Sequence, residues 1–240
     1  MSLTTAASFF VGGAILFFVI QHYLAPALAG WGLNPVLNLL VLNSPHVLFF
    51  FGALIAFRKE GNQWSTEAFS RRYRIHKIEG RMWFWAALFA VINIALYLLM
   101  YNIAFPLVEW LHQTFPTPAI VSELYGDSTT FAGHALKGNW WLLGIFLIII
   151  FFNVMGEEFL WRGFIFPRQE LTHGKYTWVV HGLMWTGFHL FSPYNALLVL
   201  PGALFMSYIV QRYKNTSLFI ISHATLNLLA SIRIISGILG

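Results

Sequence analysis

Apolar residues run through this chain in stretches of about twenty, separated by short polar intervals. A helix needs roughly 20 apolar residues to cross the hydrocarbon core of a bilayer. Seven such stretches can be read, at about 5–28, 36–57, 82–104, 140–166, 176–191, 195–211 and 216–238. The breaks between them carry the expected chemistry. Gly32 and Pro35 set off the second stretch, and Pro167, which lacks a backbone donor, is expected to end the fourth. Ser192-Pro193 closes the fifth. Asn215-Thr216-Ser217 supplies cap residues ahead of the seventh. The pattern predicts an all-α fold, a polytopic membrane helix bundle of about seven, or eight, transmembrane helices.

Composition sharpens this. Across 240 residues, 58% are hydrophobic and 10% charged. A soluble globular domain carries roughly 25% charged residues, so this chain lacks the polar surface of an ordinary soluble enzyme, a disordered segment or a coiled coil. Cysteine is absent, which removes disulfides, thiolate nucleophiles and Cys-ligated metal sites.

The formal charge of +5 could suggest nucleic acid, but its placement argues against that partner. The first 57 residues carry no Lys, Arg, Asp or Glu. Half of the fourteen basic residues fall in 58–81, as Arg58, Lys59, Arg71, Arg72, Arg74, Lys77 and Arg81. With the 167–175 and 212–215 turns and Arg162, the total reaches twelve of fourteen. Basic loops mark the cytoplasmic side. The expected topology is an integral, multi-pass membrane protein with the N-terminus cytoplasmic and the C-terminus outside. Its membrane would be the cytoplasmic membrane in a prokaryote or the ER in a eukaryote. Residues 1–135 would form N-terminal transmembrane helices with a basic cytoplasmic loop at 58–81 and an external loop at 105–139. Residues 136–240 would form a core of four helices. The first stretch lacks a basic leader and an A-x-A cleavage site, so it is read as a retained span.

Chemistry concentrates in the fourth stretch, where Glu157 and Glu158 sit inside an apolar helix. An intramembrane charge costs on the order of 2.5–3.5 kcal/mol on insertion scales, so an idle pair is costly. Glu158 and Arg162 are four apart on one helical face and can neutralise each other. Glu157 points about 100° away and needs a polar cavity or a partner from another helix. Two later stretches offer partners: Trp185 and His189 in the fifth, His223 and Asn227 in the seventh. Together they contain a base, an orienting group and donors for an oxyanion. Other intramembrane hydrolase classes lack their parts. There is no H-E-x-x-H, no G-x-S-x-G, and one aspartate, Asp127, in a loop.

These residues resemble a known family. E-E-x-x-x-R at Glu157, Glu158 and Arg162, an aromatic-x-x-x-H at Trp185 and His189, and H-x-x-x-N at His223 and Asn227 look like the CPBP family. That family, also called Abi, comprises the CAAX proteases and bacteriocin-processing enzymes and includes the Ras-converting CAAX endoprotease. The resemblance covers about residues 138–240. The family usually has Phe where Trp185 stands; Trp is also a large apolar ring.

The resemblance implies an intramembrane endopeptidase acting on a prenylated CAAX-type protein or another membrane-associated peptide. Glu157, with His189, would hold and deprotonate a water. His223 and Asn227 would donate to the oxyanion. Glu158 and Arg162 would support the helix and keep the second charge paired. Whether a metal takes part stays open: Glu157, His189 and His223 could form a His₂Glu site for a divalent ion such as zinc, or the glutamate could act with none. The expected partners are the lipid bilayer and a peptide or prenylated protein substrate, with no nucleic acid. The rival readings are a non-proteolytic bacteriocin-immunity or scaffold membrane protein of the same fold, and a transporter using the Glu-Glu-Arg cluster as an ion relay. His189 lies deep in the fifth stretch as drawn, so His181 is the fallback. His22, His46, His76, His112, His134 and His173 are read as ordinary polar or interfacial residues.

Overall fold

The computed structural model describes all 240 residues. Twelve α-helices follow one another: α1 (Leu3–Val19), α2 (Ala25–Gly30), α3 (Pro35–Lys59), α4 (Thr66–Tyr73), α5 (Met82–Ile103), α6 (Phe105–Thr114), α7 (Ala119–Tyr125), α8 (Trp140–Glu157), α9 (Phe166–His173), α10 (Thr177–Phe188), α11 (Pro193–Tyr213) and α12 (Ser217–Leu239). The only strands are a two-residue hairpin, Thr130–Phe131 against His134–Ala135, in the long loop before α8. Local chemistry accounts for the ends. The Asn34 side chain accepts from Val36 N at 2.9 Å ahead of Pro35 at the start of α3. Ser65 caps α4 through Ala68 N, and Arg74 ends it in a left-handed conformation.

Six helical segments, against an expected seven, are long and apolar enough to cross a membrane: Leu3–Gly30, Pro35–Lys59, Met82–Ile103, Trp140–Phe191, Pro193–Tyr213 and Ser217–Leu239. The difference lies at residues 140–191. The helix does not end at Pro167. Beyond Glu157 it widens into a π-helix, Glu158–Ile165, and passes into α9, where Pro167 sits in the first turn and the Gly163 carbonyl, four residues earlier, accepts from Arg72 Nη1 at 3.2 Å instead. The chain then doubles back through a 3₁₀ turn at Gly174–Tyr176. The expected fifth span is only the return arm, α10, about 18 Å long at 1.5 Å per residue.

Side-chain contacts gather the polar loops at two opposite ends. At one end, Glu60 meets Arg72 (2.7 Å) and Arg168, while Glu170 meets Arg74 (2.7 Å) and Lys214 (2.5 Å). Thr216 Oγ1 donates to the Tyr73 carbonyl there at 2.8 Å. At the other end, Gly138 N donates to Ile238 O, and Arg233 donates to the Tyr125 and Asp127 carbonyls. The basic loops thus share one end, and the C-terminus lies with the 105–139 loop at the other.

Two apolar clusters fill the interior. One, built on Phe10, Phe57, Tyr73, Trp161 and Phe219, lies toward the basic end. The second, on Leu39, Leu124, Phe131, Leu142 and Ile234, lies toward the opposite end. Along α3, α8 and α12 the polar residues fall between these clusters: Asn43 and His46, Asn153 and Glu157, His223 and Asn227. Close backbone approach holds this middle layer together. A Cβ on Gly156 would overlap the His46 carbonyl oxygen, and one on Gly163 would overlap the Tyr73 ring. Small residues of this kind let membrane helices pack by van der Waals contact, where no hydrophobic force drives them together.

Candidate active site

The site is built where α8 gives way to the π-helix. Glu157 is 2% exposed, and Glu158 and Arg162 are fully buried. Glu158 Oε1 accepts from Arg162 Nη1 at 3.3 Å and from His223 Nδ1 at 2.9 Å. The Arg162 guanidinium lies over two rings set edge to face, 4.2 Å from the Trp185 centroid and 3.8 Å from that of Phe219. Its Nε and Nη2 have no hydrogen-bond acceptor, so these rings supply what partners do not.

Glu157 faces the other way, into a cavity of about 580 Å³. Its Oε2 accepts from the Trp185 indole at 2.9 Å. Its Oε1 accepts from Asn153 Nδ2 at 3.3 Å and lies 3.4 Å from His46 Nε2. Asn153 in turn meets His46 Nε2 at 2.8 Å, and its Oδ1 accepts from Asn227 Nδ2. His189, the first residue after α10, contacts the Trp185 carbonyl through Nδ1 at 2.8 Å. Trp185 therefore serves both residues: its indole reaches Glu157 and its carbonyl fixes His189. The aromatic ring expected at this position also carries a hydrogen-bond donor.

Glu157, His189, His223 and Asn227 all line the cavity. The short return arm resolves the depth mismatch expected for His189. Because α10 starts at a turn beyond α9, twelve residues bring His189 to the cavity that Glu157 faces at the end of α8. His181 is not needed as its substitute. That side chain is fully buried between Phe10 and Phe166, with Nδ1 2.6 Å from Gln169 Oε1. The cavity walls are largely apolar, and its far rim carries Tyr97, Tyr125 and Arg233. No residue of the basic loops lines it.

Two residues at the site were not singled out from the sequence. His46, read as an ordinary polar histidine, is 7% exposed and reaches Glu157 from α3. Asn153 lies one turn before Glu157 on the same face. The available signal was a polar residue on an otherwise apolar membrane helix: Asn153 on α8, and Asn38, Asn43 and His46 on α3.

His189 and His223 each place Nδ1 on an acceptor, which leaves Nε2 for the cavity, as a metal-binding histidine requires. The donors do not complete a site, however. No three His, Asp or Glu side chains come together at a spacing that could hold a metal ion. The implied His₂Glu set does not fit as placed.

Residues 139–229 match a family model described as Rce1-like, type II CAAX prenyl endopeptidase Rce1-like. This part of the chain is similar to that family. The Rce1-like segment contains Glu157, Glu158, Arg162, Trp185, His189, His223 and Asn227, and it excludes His46. No curated protein and no solved structure matches the chain.

Proposed function

We propose that the protein is an intramembrane endopeptidase that hydrolyses a peptide bond next to the bilayer with a glutamate-activated water. The observation that carries this reading is the cavity of about 580 Å³ in which Glu157, His189, His223 and Asn227 converge within the Rce1-like segment.

Water would sit between the Glu157 carboxylate and His189 Nε2, which can accept because Nδ1 is committed to the Trp185 carbonyl. Glu157 takes a proton as the water oxygen attacks the scissile carbonyl carbon. The oxyanion forms against His223 and Asn227. With Nδ1 on the Glu158 carboxylate, a His223 imidazolium presents Nε2–H to that oxygen. As the C–N bond breaks, Glu157 returns its proton to the leaving amine. General-base action is worth about 10²–10⁴ in rate, and each oxyanion donor about 10²–10³.

The apolar walls suit a substrate held at the membrane by a lipid group or by apolar residues, and a prenylated CAAX tail is the type the family description names. We take the basic end as cytoplasmic, because loop Lys and Arg set orientation.

The test compares cells expressing wild type and Glu157→Gln at matched levels by terminus-selective mass spectrometry of membrane proteins. New termini that depend on Glu157 are expected, and their sequences identify the substrate. Identical termini from two folded proteins would overturn hydrolysis in favour of a binding or immunity role.

A further inference from the structure

Polar side chains are costly within a membrane helix, and those that persist usually have partners or a task. In α3, His46 is the clearest case. It is buried and lies outside the Rce1-like segment, yet it reaches the centre of the site. Its Nε2 lies 2.8 Å from Asn153 Nδ2 and 3.4 Å from Glu157 Oε1. Phe17 and Phe49 pack on its ring, at centroid distances of 4.7 and 6.5 Å. The α3 backbone at His46 rests directly on Gly156, the residue before Glu157. Backbone and side chain are therefore both located relative to the carboxylate.

The Asn153 amide is the point on which this acts. It has two N–H bonds and one carbonyl. One N–H points at His46 Nε2 and the other at Glu157 Oε1, and the carbonyl oxygen accepts from Asn227 Nδ2. Turning the amide over would set its oxygen against the Glu157 carboxylate and its N–H groups against those of Asn227. With the His46 proton on its unpartnered Nδ1, Nε2 is an acceptor, and an acceptor there selects the orientation that serves both.

We propose that His46 is a positioning residue of the hydrolytic site. By accepting from Asn153 it fixes the amide that orients the Glu157 carboxylate on one side and Asn227 on the other. The N-terminal helices thus complete a site that the Rce1-like segment leaves open. This inference rests on the hydrolase reading given above.

The test uses the full chain and the same terminus measurement, with rates of terminus appearance for His46→Gln, His46→Leu and Glu157→Gln. Gln reaches about as far as Nε2 and offers an amide oxygen as acceptor. Leu fills similar space with no acceptor. Small displacements at a reacting centre cost up to about 10² in rate. The expected result is a loss of about tenfold or more for His46→Leu and a rate within about threefold of wild type for His46→Gln. The thermal stabilities of the two variants in detergent should be alike. Equal rates for the two variants, whether both normal or both impaired, would overturn the proposal while Glu157→Gln stays inactive. Wild-type termini from Glu157→Gln would instead overturn the hydrolase reading itself.

Discussion

Replacing Arg162 should damage this protein more than any other single loss of charge. Arg162 and Glu158 are both fully buried and joined at 3.3 Å. Arg162→Met keeps the length and apolar stem but removes the charge. The Glu158 carboxylate would then retain only His223 Nδ1, and its Oε2 already lacks a partner. Stranding one member of a buried pair costs about 3–5 kcal/mol. Loss of the ring contacts to Trp185 and Phe219 adds about 1 kcal/mol or more. The total is a large part of the roughly 5–15 kcal/mol that holds a typical fold. The assay is equilibrium unfolding in bicelles by a denaturing detergent, run as a cycle with Glu158→Gln and the double variant. Both single variants should be strongly destabilised. The double variant should recover at least about 2 kcal/mol relative to their sum, because it leaves no unpaired charge. A cost below about 1 kcal/mol for Arg162→Met, or strict additivity, would refute the argument.

Three further outcomes are expected. Trp185→Phe keeps a ring against Arg162 but removes the donor to Glu157 Oε2; a hydrogen bond to a charged group is worth about 1.5–3 kcal/mol, so Glu157-dependent termini should appear roughly tenfold or more slowly. Gly156→Ala forces α3 away from α8 and should cost about 1–3 kcal/mol in unfolding, whereas Gly12→Ala, with open space around it, should be neutral or stabilising. In the loop before α8, backbone N–H groups of Thr129 and Thr130 hold the exposed Asp127 carboxyl down at about 2, against an ordinary 3.8. A depressed carboxylate stabilises the folded loop above the ordinary value and loses that contribution as pH falls through the folded one. Limited proteolysis of residues 125–135 should therefore accelerate between about pH 4 and pH 2, and Asp127→Asn should remove the pH dependence.

What could be read from the sequence was what local spacing encodes. Runs of apolar residues mark the membrane segments to within two or three residues at most ends. The i,i+4 relation pairs Glu158 with Arg162, and the gathering of Glu157, His189, His223 and Asn227 follows three motifs in the last hundred residues. The π-helix after Glu157 left no such mark, so Pro167 looked like a stop and the return arm looked like a full span. His46 was illegible for another reason. Nothing in the spacing of residues 46 and 157 links them; the link is a packing contact at Gly156, and an isolated histidine on an apolar helix usually does no more than satisfy itself. Asn153 stood on the right face one turn from Glu157, but its role depends on His46 and Asn227, which arrive from other helices.

The widened turn at 158–165 also couples the surface to the interior. Tightening that stretch to a regular helix, with no residue removed, would turn everything beyond it by about 100°. Arg168 would swing away from Glu60, and Arg72 would lose the Gly163 carbonyl it holds at 3.2 Å. The loop joining α3 to α5 is thus geared to the phase of the helix that carries the carboxylates. A change in Glu60 or Arg72, far out in the polar loops, should register in the interior as a rotation.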